Sequence, residues 1–304
     1  MKKRAVSSLL TSLAVVSFIL PALAAAPPGS DEEAPPMESA ETEVWSAIHL
    51  NGVPQQSVEY EIRNGVTYAT VSSFATMMDS EAAVEEENGT VTVSSARVAQ
   101  VVDAEGNTAN VVEETLNMTV STGTPYIVAN GRYLYAKDSV ILLNNAVAVP
   151  VRLLAQVYNL DVSYDGRVLL NHSQSSAGAY LTPGDSYYDE TNLYWLSRII
   201  NAESGNQILE GKIGVGNVVM NRVRDPKFPN NIYDVLYQKN QFSPASSGSI
   251  KKTPNEESVI AAKLVLDGAE VVPTALFFNQ AGMSCYASRN RTYVTTIGGH
   301  AFYA

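Results

Sequence analysis

LYWLSRIINAESGNQILEGKIGVGNVVMNRV, residues 193–223, reads as two helices in immediate succession. Trp195, Leu196, Ile199 and Ile200 repeat at helical spacing, and the run stops near Ser204-Gly205. A second helix is expected over 208–223, with Ile208, Val215, Val218, Val219 and Val223 as its apolar positions. Gly211, Gly214 and Gly216 fall inside it, each costing about 1 kcal/mol relative to Ala, and close approach of another backbone is the expected compensation. Glu203 ends the first helix. Ile199 at i−4 and Ile200 at i−3 set its carboxylate beside the apolar stripe, and a helix C-terminus disfavours negative charge. Both effects raise its pKa and make it a candidate proton donor near neutral pH. The bland alternative is a glutamate that frays into solvent.

Working outward toward the C-terminus, a third helix is expected over 254–267. Thr253-Pro254-Asn255-Glu256 reads as its capping box, and Gly268 as its stop. Thr191 or the acids before it can cap the first helix. ALFFN (275–279) and RTYVTTIGGHAFY (291–303) read as strands around a loop. Residues 191–304 are therefore a mainly helical α+β domain. SQSSAGAYLTPGDSYYDE (173–190) reads as a Ser/Gly/Pro linker in front of it.

Residues 44–172 form the other expected domain, small, α+β and strand-rich. NGVTYATVSSFATMMDSEAAVEEENGTVTVS (64–94) and NNAVAVPVRLLAQVYNLDVSYDGRVLLN (144–171) look alike. Each begins at an Asn turn and a β-branched strand. A short helix follows, carrying Val71, Phe74 and Ala75 in one and Val151, Leu154 and Ala155 in the other. Then come two strands around Asn88-Gly89 or Asp165-Gly166. YIVANGRYLY (126–135) adds a hairpin at Asn130-Gly131, so the domain has an internal half-repeat. It resembles the N-terminal domain family named after copper amine oxidases. Copper itself is not expected, because the region has only His49 and His172 and no Cys, too few soft ligands for a copper site. A binding or spacer role is expected, with a wall or protein partner.

The chain opens as a secretory signal peptide over 1–24, with Lys2, Lys3 and Arg4, an apolar run, and Ala22-Leu23-Ala24 as cleavage signal. No Cys follows to carry a lipid, and no later stretch is apolar enough to span a bilayer. A secreted or cell-envelope location follows. Residues 25–43 are Pro-rich and acidic, a spacer. From Asp189 onward eleven Lys and Arg face ten Asp and Glu, net +1. The signal carries +3, so the chain's −11 places −15 on residues 25–188, which argues against nucleic-acid binding. Cys285 is the only cysteine, so no intramolecular disulfide forms.

Residues 193–303 resemble the catalytic domain of the SleB/CwlJ family of cell-wall hydrolases, known as spore-cortex-lytic enzymes. The quoted helical pair carries the resemblance, followed in family order by DPKFPNNIYDVLYQKNQFSPA, FFNQ and IGGHAFY. It implies a lysozyme-like, lytic-transglycosylase-type fold, peptidoglycan glycan strands as substrate (spore cortex included), no cofactor, and one catalytic glutamate, Glu203. It further implies that Gln241, Phe242 and Ser243 face the cleft, where amides and hydroxyls suit sugar polar groups and rings suit sugar faces. Asn279 and His300 are the remaining substrate-contact candidates. His300 is expected to hydrogen-bond beside the Gly298-Gly299 turn. Asn221 and Arg222 are expected to brace the second helix. A hydrolytic glycosidase pairs its acid with a second carboxylate. Glu210, Asp225 and Asp234 all have structural readings, so one residue acting as acid and then base is expected. The competing readings are a zinc N-acetylmuramoyl-L-alanine amidase, a Cys285/His300 peptidase, and a wall-binding protein without catalysis. One histidine in the domain is too few for the zinc site, so no metal is expected.

Overall fold

A computed structural model describes residues 47–102, 108–137, 140–173 and 180–304. The expected signal peptide and spacer, and residues 174–179 of the expected linker, lie outside them. The chain first forms β1 (Ile48–Leu50), β2 (Val53–Pro54), β3 (Tyr60–Arg63), β4 (Val66–Thr70) and α1 (Val71–Met78). A long meander follows: β5 (Ala83–Glu87), β6 (Thr90–Val102), β7 (Thr108–Ser121), β8 (Tyr126–Ala129) and β9 (Arg132–Tyr135). Then come β10 (Ile141–Leu143), β11 (Ala146–Pro150), α2 (Val151–Val157), β12 (Leu160–Tyr164) and β13 (Val168–His172).

These strands make three sheets, ordered β12-β13-β1-β2, β10-β11-β4-β3 and β5-β6-β7-β8-β9. β4 and β11 lie side by side, antiparallel, with Val149 opposite Ala69, and each runs directly into its helix. The two similar passages therefore occupy equivalent places about this strand pair. Val71, Phe74 and Ala75 of α1 and Val151, Leu154 and Ala155 of α2 are buried, the i, i+3, i+4 face of each helix. Asn88-Gly89 and Asn130-Gly131 take positive φ at both positions, as tight two-residue hairpins require.

The second half continues with α3 (Gly184–Tyr187), α4 (Glu190–Ser204), α5 (Leu209–Arg224), α6 (Ile232–Leu236), α7 (Ser243–Ser247) and α8 (Glu256–Leu266). β14 (Phe277–Gln280), α9 (Tyr286–Asn290), β15 (Tyr293–Ile297) and β16 (His300–Tyr303) close it, the strands in the order β14-β16-β15. Asp189 caps α4 by accepting from Asn192 N. The cap of α8 differs from expectation. It is Asn255, not Thr253, whose Oδ1 accepts from Ser258 N at 2.8 Å. Asn255 also bonds back to the end of α4, through Asn201 Oδ1 and Gly205 O, which a cap two residues earlier would not do. Gly268 ends the helix region at φ 93°.

The glycines of α5 also differ from expectation. Their close neighbours are mostly side chains rather than a second backbone. A Cβ on Gly214 would lie 2.6 Å from Phe302 Cζ, and one on Gly216 would lie 2.8 Å from Val265 Cγ2 and 3.0 Å from Ile200 Cδ1. Gly214→Ala is therefore expected to destabilise the fold by about 1–3 kcal/mol through overpacking, although Ala is the better helix former. Thermal melting checks this. A variant at least as stable as the parent would show that the Phe302 ring yields freely.

The two largest buried cores lie between Ile48 and Leu181 and between Leu196 and Ala269, inside one compact unit. Their seam is the β8–β9 hairpin. Tyr126, Tyr133 and Tyr135 pack against the second core. Arg132 Nε donates to Asp267, beyond the end of α8, at 2.9 Å, and the Tyr188 hydroxyl donates to the same carboxylate. Residues 180–190 are not the free connector expected. Tyr180 and Leu181 bury in the first core, and the Arg132 guanidinium lies 3.4 Å from the centroid of the Tyr187 ring. The aromatic residues of this segment have area to bury, which outweighs its Ser/Gly/Pro character. Among the described residues no helix is long and apolar enough to cross a membrane.

Candidate active site

The last turn of α4 carries Glu203 to the wall of a cavity of about 510 Å³. The loop between α6 and α7 supplies Asn240, Gln241 and Phe242, and α7 supplies Ser243. β14 supplies Phe278, Asn279 and Gln280, β16 supplies His300, and α5 supplies Arg222. All six site residues singled out in the sequence thus line one cavity. A concavity of about 600 Å³ in the N-terminal half is lined by Lys137 and Arg152 among mainly apolar residues, and no carboxylate of a described residue lines it.

Long-range side-chain bonds set this arrangement. Asn217 Nδ2 donates to Ala269 O at 2.7 Å and its Oδ1 accepts from Val271 N at 2.8 Å. Asn221, one turn on, donates to Val272 O and Ala275 O, both at 3.0 Å. Arg222 Nε donates to Leu276 O at 2.8 Å. The irregular segment before β14 is therefore pinned to α5, and Asn221 braces as expected. Gln207 Oε1 accepts from Gly299 N at 2.7 Å, which ties the turn before His300 to the loop after Glu203.

Glu203 is partly buried, and no hydrogen bond or ion pair from a described residue reaches its carboxylate. Burial raises its pKa above the ordinary carboxylate value. It does not fray into solvent. Among the described residues it is also the only carboxylate lining the cavity. Glu210 stands in the first turn of α5. Asp225 accepts from Lys227 N, and Asp234 from Asn231 Nδ2, each at 2.8 Å.

Phe242 is buried and stands 6.4 Å from Phe278 between ring centroids, so it is both core and cavity wall. Gln241 and Ser243 are exposed. Asn279 Oδ1 accepts from Gln280 N, the next residue of β14. His300 departs from expectation. Its ring makes no hydrogen bond with a described residue, and Nδ1 is buried without a partner. It packs on Phe278 at 5.3 Å, and burial lowers its pKa, so the ring is neutral at pH 7. Cys285 is not among the residues that line the cavity. Its Sγ accepts from Ser288 N at 3.3 Å. Burial pushes the thiol up, but hydrogen bonds from Ser288 and Asn279 outweigh it and hold the pKa down.

Arg222 is the cavity residue that sequence reading assigned only to bracing. It is 4% exposed, and its Nη1 has no partner among the described residues. The available signal was its place one residue after Asn221 on α5, facing the strand FFNQ.

Residues 206–303 match the family described as Cell Wall Hydrolase. The matched segment begins three residues after Glu203 and includes the rest of the cavity lining. Among curated proteins, the chain is similar to a spore cortex-lytic enzyme of Bacillus cereus, 27% identical over 116 residues, 38% of this chain and 45% of the relative. A spore cortex-lytic enzyme of Bacillus subtilis is 25% identical over 116 residues, 38% of each chain. The chain thus spans less than half the length of these relatives. Among solved structures, the catalytic domain of a germination-specific lytic transglycosylase, SleB, from Bacillus anthracis aligns at 24% identity with a TM-score of 0.36, covering 38% of this chain and 97% of that one.

Proposed function

We propose that this protein cleaves peptidoglycan glycan strands in the cell envelope as a lytic transglycosylase, with the helical C-terminal half as a lysozyme-type catalytic domain. The observation that carries this reading is one carboxylate, raised by burial, in a cavity otherwise lined by amides, hydroxyls, rings and Arg222. Glu203 starts protonated and donates its proton to the glycosidic oxygen as the bond from the muramyl anomeric carbon breaks. The carboxylate left behind faces the oxocarbenium-like centre. It then takes the proton of the muramyl C6 hydroxyl, whose oxygen closes onto the anomeric carbon. Glu203 ends protonated, and the product is a 1,6-anhydro ring with no water consumed. A second carboxylate to activate water has no part in this cycle.

Mass spectrometry of digested peptidoglycan tests the reading. Anhydromuramyl ends, one water lighter than hydrolytic ends, are expected from both cortex and vegetative wall preparations. Freed peptides with intact glycan would overturn it in favour of an amidase or a Cys285/His300 peptidase, and wall binding without cleavage would leave a binding protein.

Beyond the cavity, Tyr233 and Tyr237 are exposed, one helical turn apart on and just after α6, with ring centroids 4.6 Å apart. Trp195 of α4 stands 5.2 and 5.7 Å from them. These rings suit sugar faces along a strand that runs on from the cavity. Tyr233→Ala with Tyr237→Ala is expected to weaken co-sedimentation with sacculi about 30-fold, since each stacked ring is worth about 1 kcal/mol. Unchanged binding would remove the rings from the glycan path.

A further inference from the structure

Arg222 presents a chemical demand that the protein does not meet. A guanidinium has five N–H donors and no acceptor. Nε is used on Leu276 O at 2.8 Å, and the buried Nη1 has no partner among the described residues. No carboxylate of a described residue forms an ion pair with it, although Glu203 lines the same cavity. Three phenyl rings surround the charge instead, Phe242 at 5.0 Å, Phe228 at 5.2 Å and Phe277 at 5.3 Å from the guanidinium carbon. Ring faces offset part of the lost hydration but accept no directed hydrogen bond of ordinary strength. Burial lowers its pKa to about 10, so the group is a cation at neutral pH. Nη2 is neither bonded to a described residue nor fully buried, so in the cavity that Arg222 lines it is the donor complementary to an acceptor oxygen that arrives with the ligand.

The glycan strand offers three kinds of acceptor. Hydroxyls and N-acetyl carbonyls occur on every sugar, and the neutral amides and hydroxyls of Gln241, Ser243 and Asn279 suit them. The lactyl ether occurs only on muramyl units. Its acyl group is a free carboxylate, an amide to the stem peptide, or a lactam carbonyl. It is also the only group of the bare strand that carries or derives from an anion, and among the described residues Arg222 is the only Lys or Arg lining the cavity. The muramyl unit must lie beside Glu203, because its anomeric carbon is the reacting centre.

We propose that Arg222 is the muramyl-recognition residue of the cavity, its accessible Nη2 donating to the lactyl acyl oxygen of the sugar whose anomeric carbon Glu203 serves. This assignment rests on the peptidoglycan reading and adds to it. Arg222 makes the site discriminate a muramyl unit from N-acetylglucosamine at the position where cleavage occurs. Polymers of N-acetylglucosamine alone enter the same cavity without satisfying the cation, and so bind more weakly.

Binding measured without turnover tests this. In the full chain carrying Glu203→Gln, calorimetry compares three ligands: a tetrasaccharide of alternating N-acetylglucosamine and N-acetylmuramic acid, the same sugar with its lactyl carboxylates amidated, and chitotetraose. Adding Arg222→Met is expected to weaken both muramyl ligands about 10- to 100-fold, the span of a hydrogen bond from a charged donor, and chitotetraose by less than about 2-fold. A larger loss for the carboxylate than for the amide marks the free acid as the stronger partner. Similar losses mark the acyl oxygen alone. Either pattern supports the assignment. Arg222→Lys keeps the charge without the fork and is expected to fall between. It carries the same comparison should Arg222→Met fail to fold, as thermal melting would reveal. An equal loss for all three ligands would overturn the assignment and leave Arg222 as a structural brace or an N-acetyl contact. If none of the three binds the Glu203→Gln protein, the peptidoglycan reading itself fails.

Discussion

Glu203→Gln should reduce glycan cleavage by about 1,000-fold or more, because one side chain supplies both proton transfers and general acid–base catalysis is worth about 100- to 10,000-fold. Turbidity loss of sacculi and release of anhydromuramyl ends measure it. Equal activity in the variant would sink the mechanism. The same substitution should not harm the fold. The Glu203 carboxylate has no bond to lose among the described residues, and burial is the cause of its raised pKa. Between the ordinary carboxylate value, about 4.3, and the raised native value, the folded state binds more protons than the unfolded state. Stability from this group is therefore fully present below the ordinary value and lost as pH rises through the native one. Glutamine lacks that loss. The variant should match the parent's melting temperature near pH 3 and exceed it near pH 7. A difference independent of pH would contradict the burial argument. Parent activity should likewise fall as pH rises through the raised pKa, since the cycle starts from the protonated acid.

Arg132→Ala should cost about 3–5 kcal/mol of stability, a drop on the order of 10 °C in Tm for a unit of this size. The pair it breaks is buried on both sides, with side-chain exposures of 8% for Arg132 and 0% for Asp267. Removing the guanidinium leaves the Asp267 carboxylate in the seam with the Tyr188 hydroxyl as its remaining side-chain donor. Tyr188 is tied in turn to the hairpin through Tyr133 N at 3.1 Å, so the loss spreads along the seam. Replacing both partners, Arg132→Met with Asp267→Leu, should recover most of the stability, because no unpaired charge is then buried. Chemical denaturation of the two single variants and the double variant measures the coupling. A loss under about 1 kcal/mol in Arg132→Ala, the value of an exposed pair, would show that water reaches the seam.

Several features were legible because they depend on neighbours in the chain. The apolar stripes of α4 and α5, the Asn-Gly hairpins and the paired strand-helix-hairpin passages all follow from local periodicity and turn chemistry. Glu203 could be suspected from Ile199 and Ile200 beneath it. Other features had no local signature. Thr253 and Asn255 both suit an N-cap, and the choice fell to Asn255 because its amide also reaches Gly205 O on another helix. The compensation for Gly214 is a phenyl ring 88 residues away in sequence, at Phe302. The segment at 180–190 has a linker's composition, yet Tyr180, Leu181 and Tyr188 find buried surface that sequence does not display.

The sequence by itself determined the strand-rich first half, the helical second half and the glutamate at the end of an apolar helix, since these rest on spacing along the chain. Tertiary structure decided what Glu203 faces. Asn217, Asn221 and Arg222 on α5 hold the approach to β14, and Gln207 holds the turn before His300. These bonds bring α4, β14, β16 and the loop after α6 around one cavity. Desolvation is a property of that enclosure and not of any local stretch. The raised pKa of Glu203 and the unmet donor of Arg222 both come from it.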